Sequence, residues 1–245
     1  MPDEEFTHPR LAAIYDALDP DRSDLDPYVA IVESLGARSV LDVGCGTGTF
    51  AVMLAERGLS VAGVDPAAAS VDIARAKSPA VRWIVGDATT LPPLQVDVAT
   101  MTANVAQAIP DLGATLRGIC AALRPGGHVV FETRDPALRG WEEWTFLGTR
   151  KVTKIPGVGP VESWADLVDV SLPRVTFRWN FVFLPKGEVL RSESTLWFRS
   201  REEVTDLLAA NGFTDIEVRD APDRPGREFV FLATAATDGR PPRAS

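Results

Sequence analysis

The 245-residue sequence predicts an α/β fold: a doubly wound, seven-stranded, mostly parallel sheet flanked by helices, its last strand antiparallel, with a small antiparallel β-sheet inserted after the fifth strand. Three observations predict it. Ser39 to Phe50 reads as an apolar strand (Val40, Leu41, Val43), a turn with glycines at 44, 46 and 48, and the start of a helix. Four more short apolar runs, Ser60–Asp65, Val81–Asp87, Gln95–Met101 and His128–Glu132, follow in series with helical patterns among them, as in a sheet built from strand–helix units. Between residues 140 and 198 the hydrophobic period changes from helical to two.

The remaining elements follow in chain order. Leu11, Ile14, Tyr15 and Leu18 recur at helical spacing, the chain breaks at Asp19-Pro20, and a second helix is capped by Asp26 and begun by Pro27. Ala67 to Lys77 forms a helix after the second strand, and Asp111 opens another, lined by Leu112, Leu116, Ile119 and Leu123 and ended by Pro125-Gly126-Gly127. In the insertion, Val175, Phe177, Trp179, Phe181 and Phe183 share one face of a strand. A turn at 185–188 leads into Val189–Phe198, and Glu143–Ile155 and Val161–Val170 supply two further strands. Ser200-Arg-Glu-Glu203 is a capping box for a helix bearing Val204, Leu207 and Leu208, which Asn211-Gly212 stops. Asp215–Arg219 and Glu228–Ala233, joined by a loop with proline and glycine, pair antiparallel. The expected organisation is N-terminal helices over 1–36, a core over 37–139 and 199–235, an inserted lid over 140–198 and a disordered tail over 236–245.

Composition narrows the function. A net charge of -9 disfavours a nucleic-acid partner, which needs clustered Lys and Arg, and favours a small uncharged or cationic substrate. No apolar run is long enough for a membrane span, and Met1-Pro-Asp-Glu-Glu lacks the basic and apolar regions of a signal peptide, so a cytoplasmic monomer or homodimer with no membrane partner is expected. Cys45 and Cys120, the only cysteines, suggest neither a disulfide nor a metal site and read as buried fillers. Asp97 with Asp111 is too thin a basis for a metal. His128 falls in a core strand and His8 in a loose terminus, so no histidine base stands out.

The glycine turn is spaced D-x-G-x-G-x-G, unlike the dinucleotide fingerprint, whose third glycine falls five positions after the first. With Asp42, Asp65, Asp87 and Leu123-Arg-Pro-Gly-Gly127 in that order, the chain resembles the class I S-adenosylmethionine-dependent methyltransferases, closely over residues 10–135 and by pattern over 198–234. The resemblance implies S-adenosylmethionine as cofactor and S-adenosylhomocysteine as product. It implies a turn touching the methionine half through Asp42, Gly44, Cys45, Gly46 and Gly48, with Asp42 alternatively a structural acid beneath it. It further implies Asp65, followed by Pro66, on the ribose hydroxyls, Asp87 on the adenine amine and the Ala88 N–H on the ring. Thr102 to Gln107 would lie near the transferred methyl, and Tyr15 near the cofactor carboxylate or simply on an apolar helix face.

On the acceptor side, Asn104 and Gln107 are weak catalytic candidates that fix the nucleophile or the methionine end, or else serve as loop and helix-start residues. Gln107, Arg134, Trp141 and Trp144 form the substrate set. Arg134 would pair with a substrate carboxylate or phosphate, or internally with a glutamate, and the tryptophans would line an apolar or cation-accepting pocket or pack the lid. The insertion leaves the carboxyl end of the fifth strand, which makes it the candidate substrate lid. The expected activity is methyl transfer to N or O of a small molecule by in-line displacement. The alternatives are a cofactor-binding protein without catalysis and a nicotinamide-dependent oxidoreductase on a related fold. The absence of an Asn-Pro-Pro-Tyr run after the fourth strand disfavours base modification.

Overall fold

The computed structural model describes residues 2–237. The main sheet contains β1 (Ser39–Val43), β2 (Ser60–Asp65), β3 (Arg82–Val85), β4 (Val96–Met101), β5 (Leu123–Arg134), β10 (Phe213–Asp220) and β11 (Glu228–Ala235), in the order 3-2-1-4-5-11-10. β1 pairs in parallel with both β2 and β4, so the strand order reverses between them. That opens a crevice at their carboxyl ends. β11 is antiparallel to β5 and β10, as the sequence predicts.

Alternation on the strands dictates two cores. Leu41, Val43, Ala99, Met101, Phe131 and Phe231 face α8 (Leu112–Ala122) and α10 (Arg201–Ala210). Val40, Val61, Val98, Val130 and Val230 face α4 (Asp26–Ser34) and α5 (Thr49–Glu56). Each fully buried side chain of this size contributes about 1.5–3 kcal/mol. The Ser200 capping box forms at α10, and Asp111 accepts from Ala114 N at the start of α8. Asp97, at the opposite edge from the crevice, accepts from Arg38 N and Ser39 N and holds the start of β1.

The insertion is a four-stranded antiparallel sheet of β6 (Lys151–Ile155), β7 (Gly159–Ser171), β8 (Arg174–Phe183) and β9 (Glu188–Trp197). The strand expected over Glu143–Ile155 is corrected to 151–155. The Thr145 hydroxyl accepts from Gly148 N and caps a one-turn helix, α9 (Phe146–Thr149), where the sequence pattern suggested extended chain. Ala236 N donates to Gly212 O, so residue 236 is held against the core, and positions 238–245 of the expected tail lie outside the described residues.

The first expected helix, read on Leu11 to Leu18, is instead two short ones, α2 (Pro9–Ala12) and α3 (Tyr15–Leu18), and a further turn, α1 (Glu4–Thr7), precedes them. His8, expected in a loose terminus, caps α2 by accepting from Arg10 N. These turns form a strap. Leu11 and Ile14 pack on Ile155, Val161, Phe181 and Phe183 of the inserted sheet. Glu5 N donates to Ser192 Oγ at 2.8 Å, Ser194 Oγ donates to Asp3 at 2.6 Å, and Ser70 Oγ of α6 (Ala68–Lys77) donates to Phe6 O at 2.9 Å. The strap therefore binds the inserted sheet to the core.

α8 lies against the connection after β3 because Gly118 lacks a side chain, and a Cβ there would collide with the Ala88 carbonyl. Gly118→Ala should lower stability by about 1–3 kcal/mol in urea unfolding, the cost of overpacking a filled contact.

Candidate functional site

The crevice is built from the turn after β1. Gly44 N and Cys45 N both donate to Val64 O, at 2.8 and 3.1 Å, which sews the turn to β2. The three glycines adopt left-handed φ of 73°, 51° and 85°, a conformation that glycine takes without strain. They differ in what surrounds them. A Cβ at Gly44 would strike Val105 and one at Gly48 the ring of Trp83, whereas Gly46 faces open space. Cys45 buries its thiol near Gly63, and burial pushes that thiol's pKa up. Asp42 lies under the turn, accepts from Thr100 Oγ1 at 3.1 Å, and is raised by burial to about 7.

Asp65 ends β2 and bridges two pieces of backbone. Its Oδ2 accepts from Gly46 N at 3.0 Å and its Oδ1 from Ala67 N at 2.8 Å, on either side of exposed Pro66. Burial raises its pKa, and the two amides oppose that shift. Asp87 is exposed at the turn after β3, where Thr89 Oγ1 and Thr89 N both donate to its Oδ1. The Thr89 side chain chiefly holds its pKa below the usual carboxylate range. Ala88 is buried beside it, against α8.

Tyr15 stacks obliquely on Phe6 with centroids 5.5 Å apart, inside the strap. Its neighbour Asp16, which the sequence did not single out, reaches the glycine turn. It accepts from Thr47 Oγ1 at 2.7 Å and Thr49 Oγ1 at 3.3 Å and pairs with Lys77 Nζ at 2.6 Å.

A buried polar cluster stands at the carboxyl ends of β4 and β5 and the amino end of β11. Ala103 and Asn104 both take left-handed φ, 60° and 61°. Glu132 Oε1 secures this loop by accepting from Asn104 N at 2.6 Å, and Glu228 Oε2 accepts from Asn104 Nδ2 at 3.0 Å. The two glutamates are 2% and 3% exposed, and burial raises Glu132 to about 8. Gln107 Oε1 accepts from Arg134 N and Nη1 at 3.2 and 3.1 Å.

Arg134 is directed to Gln107, to Glu228 at 3.7 Å and to the ring of Trp144 at 5.8 Å. Of the two expected roles, the internal pairing is the one its guanidinium makes. Trp141, expected either to line a pocket or to pack the insertion, is 2% exposed and packs edge-on to Phe198 at 4.6 Å, just past the inserted sheet. Trp144 stays half-buried against Phe177.

Glu132 and Glu228 were missed as site residues. Their signal is an acid on the inward-facing register of an otherwise apolar strand, Val130 to Glu132 and Val230 back to Glu228.

Residues 40–127 match the family model described as a methyltransferase domain. Malonyl-[acyl-carrier protein] O-methyltransferase of Serratia marcescens is 34% identical over 51% of this chain and 49% of its own length. The chain spans about half the length of the curated relatives it matches. The sugar N-methyltransferase KedS8 from Streptoalloteichus superposes with a TM-score of 0.76 at 21% identity over 91% of this chain and 92% of that one. The amino pentose methyltransferase CalS10 from Micromonospora echinaspora, solved with S-adenosylmethionine bound, superposes at 0.68 with 23% identity over 91% and 95% of the two chains. Residues 40–127 thus match a methyltransferase domain, and the chain has the fold of the class I S-adenosylmethionine-dependent methyltransferases.

Two outcomes follow from this geometry. Gly46→Ala should cost only the about 1–2 kcal/mol of a left-handed alanine, while Gly48→Ala should lose about 1–3 kcal/mol more through collision with Trp83, both read from urea midpoints. Asp42 and Glu132 have folded-state values of about 7 and 8, above the ordinary 3.8 and 4.5. The fold therefore favours their protonated forms. The corresponding stability is complete below the ordinary values and is lost as pH rises through 7 and 8, so urea midpoints should fall between pH 5 and 9. Asp42→Asn and Glu132→Gln should flatten that decline.

Proposed function

We propose that this protein moves a methyl group from S-adenosylmethionine to nitrogen or oxygen of a small-molecule acceptor by in-line displacement. The observation that carries the reading is Asp65, pinned by both carboxylate oxygens between the glycine turn and the start of α6, within the segment that matches a methyltransferase domain.

The residues present fit the cofactor. Gly46 leaves open space where a Cβ would stand. Each Asp65 oxygen accepts a single amide and keeps a lone pair for a ribose hydroxyl. Asp87 engages Thr89 through Oδ1, and its Oδ2 is the acceptor for an exocyclic amine, with the Ala88 N–H beside it. When bound, S-adenosylmethionine supplies a methyl already activated on a sulfonium, which leaves alignment and exclusion of water to the chain. Asp16 clamps the strap over the glycine turn, and the Asn104 loop, held by Glu132 and Glu228, borders the reacting side. The inserted sheet serves as lid, with Gln107, Arg134 and Trp144 on its core side and Trp141 within it.

A small acceptor agrees with the net charge of -9 and with neighbours named as a sugar N-methyltransferase and an amino pentose methyltransferase. The D-x-G-x-G-x-G spacing stands against a nicotinamide cofactor.

Calorimetry with S-adenosylmethionine tests the proposal. Wild type should bind, and Asp65→Ala should weaken binding about 10- to 100-fold, as expected for losing hydrogen bonds to a charged acceptor worth about 1.5–3 kcal/mol. Absence of binding at millimolar ligand, or an unchanged affinity in the variant, overturns it.

A further inference from the structure

Resting on that reading, we infer that the methyl acceptor is an amine, which binds as its ammonium between Glu132 Oε2 and Asn104 Oδ1 and gives up its proton to Glu132. The two buried glutamates of the cluster differ in what answers them. Glu228 has Arg134 at 3.7 Å, Arg224 at 3.3 Å and Asn104 Nδ2 at 3.0 Å. Glu132 has one backbone amide on Oε1, and its Oε2 has no hydrogen-bond partner among the described residues. Asn104 Oδ1 is likewise unpartnered, and the bond from Nδ2 to Glu228 fixes which end of that amide carries the oxygen.

Buried polar atoms without partners are rare and costly, and here two acceptors lie on residues already joined by a 2.6 Å hydrogen bond. An alcohol brings one donor and no charge, whereas an ammonium brings three donors and the counter-charge that a buried carboxylate lacks. The charged and titratable groups facing Glu132 are Tyr28 from α4, Asp223 and Arg224 from the turn before β11, Glu228 from β11 and Arg134 from β5. With Glu132 the carboxyls outnumber the guanidiniums, so the cluster attracts a cation. Gln107 Nε2, an unpartnered donor in the same cluster, suits an oxygen elsewhere on the acceptor.

In the proton step, open to the ionised Glu132 that prevails above about pH 8, one ammonium N–H bond breaks, its proton joins Glu132 Oε2, and the nitrogen keeps the electron pair as a neutral amine. Glu132 becomes a neutral carboxylic acid and returns the proton to solvent when the site opens. Both oxygens are closed to solvent, so the acceptor reaches them as the neighbouring Arg134–Trp144 stack parts.

Matched probes test this. Cyclohexylamine and cyclohexanol, and benzylamine and benzyl alcohol, are titrated calorimetrically at a pH just above 8, where Glu132 is largely ionised, into wild type and Glu132→Gln, with and without S-adenosylhomocysteine. Wild type should bind each amine at least about tenfold tighter than its alcohol, as for a charge-assisted bond. Glu132→Gln should erase that preference while S-adenosylhomocysteine affinity changes less than about twofold, and Glu132→Asp should restore part of it. Equal binding of amine and alcohol in wild type, including no binding of either, overturns the inference, as does a preference that survives in Glu132→Gln. The wild-type comparison stands even if a variant fails to fold. Failure of wild type to bind S-adenosylhomocysteine instead sinks the methyltransferase reading, and this inference with it.

Discussion

The carboxylate of Asp65 fixes the shape of the edge on which everything else is arranged. A glycine-rich turn has little preference of its own for one conformation, and a single acid that accepts from Gly46 N on one side and Ala67 N on the other converts it into a defined cradle. Its position follows from the register of β2 beside β1, where Asp65 stands just past Val64, whose carbonyl already receives Gly44 N and Cys45 N. Asp42 beneath is held partly protonated by burial, with the charge of Asp65 adding to the shift. The edge therefore concentrates negative potential where the proposed donor brings a positive sulfonium.

What could be read in advance divides along sequence distance. The strand-to-turn transitions at Asp42, Asp65 and Asp87 were legible because period, glycine and acid all sit within a dozen residues of one another. The capping box at Ser200 and the antiparallel closing pair were legible for the same reason. The polar cluster was not, since Asn104 and Glu228 meet across 124 positions and only the pairing of β11 with β5 brings them together. Trp141 shows the converse limit. A tryptophan leaving a strand end has the same local pattern whether it lines a pocket or fills a core, and only its contact with Phe198 distinguishes the two.

The two parts outside the central sheet, the strap and the inserted sheet, are physically one cover. Leu11 and Ile14 complete the apolar face of the insertion, and Asp16 ties that joint body to the glycine turn. A cover anchored at both the glycine turn and the inserted sheet can exclude water from the whole crevice at once, which strengthens every electrostatic contact inside it.

The same arrangement sets an order of events during synthesis. Residues 3 and 5 find their partners at 194 and 192, separations of 191 and 187 positions, so during synthesis this segment must wait until β9 has followed it. Until β6, β7 and β8 emerge, Leu11 and Ile14 have no apolar surface of the insertion to cover. Closure of the crevice thus waits on a segment made after the first five strands of the central sheet, and β10 and β11 emerge later still to complete that sheet.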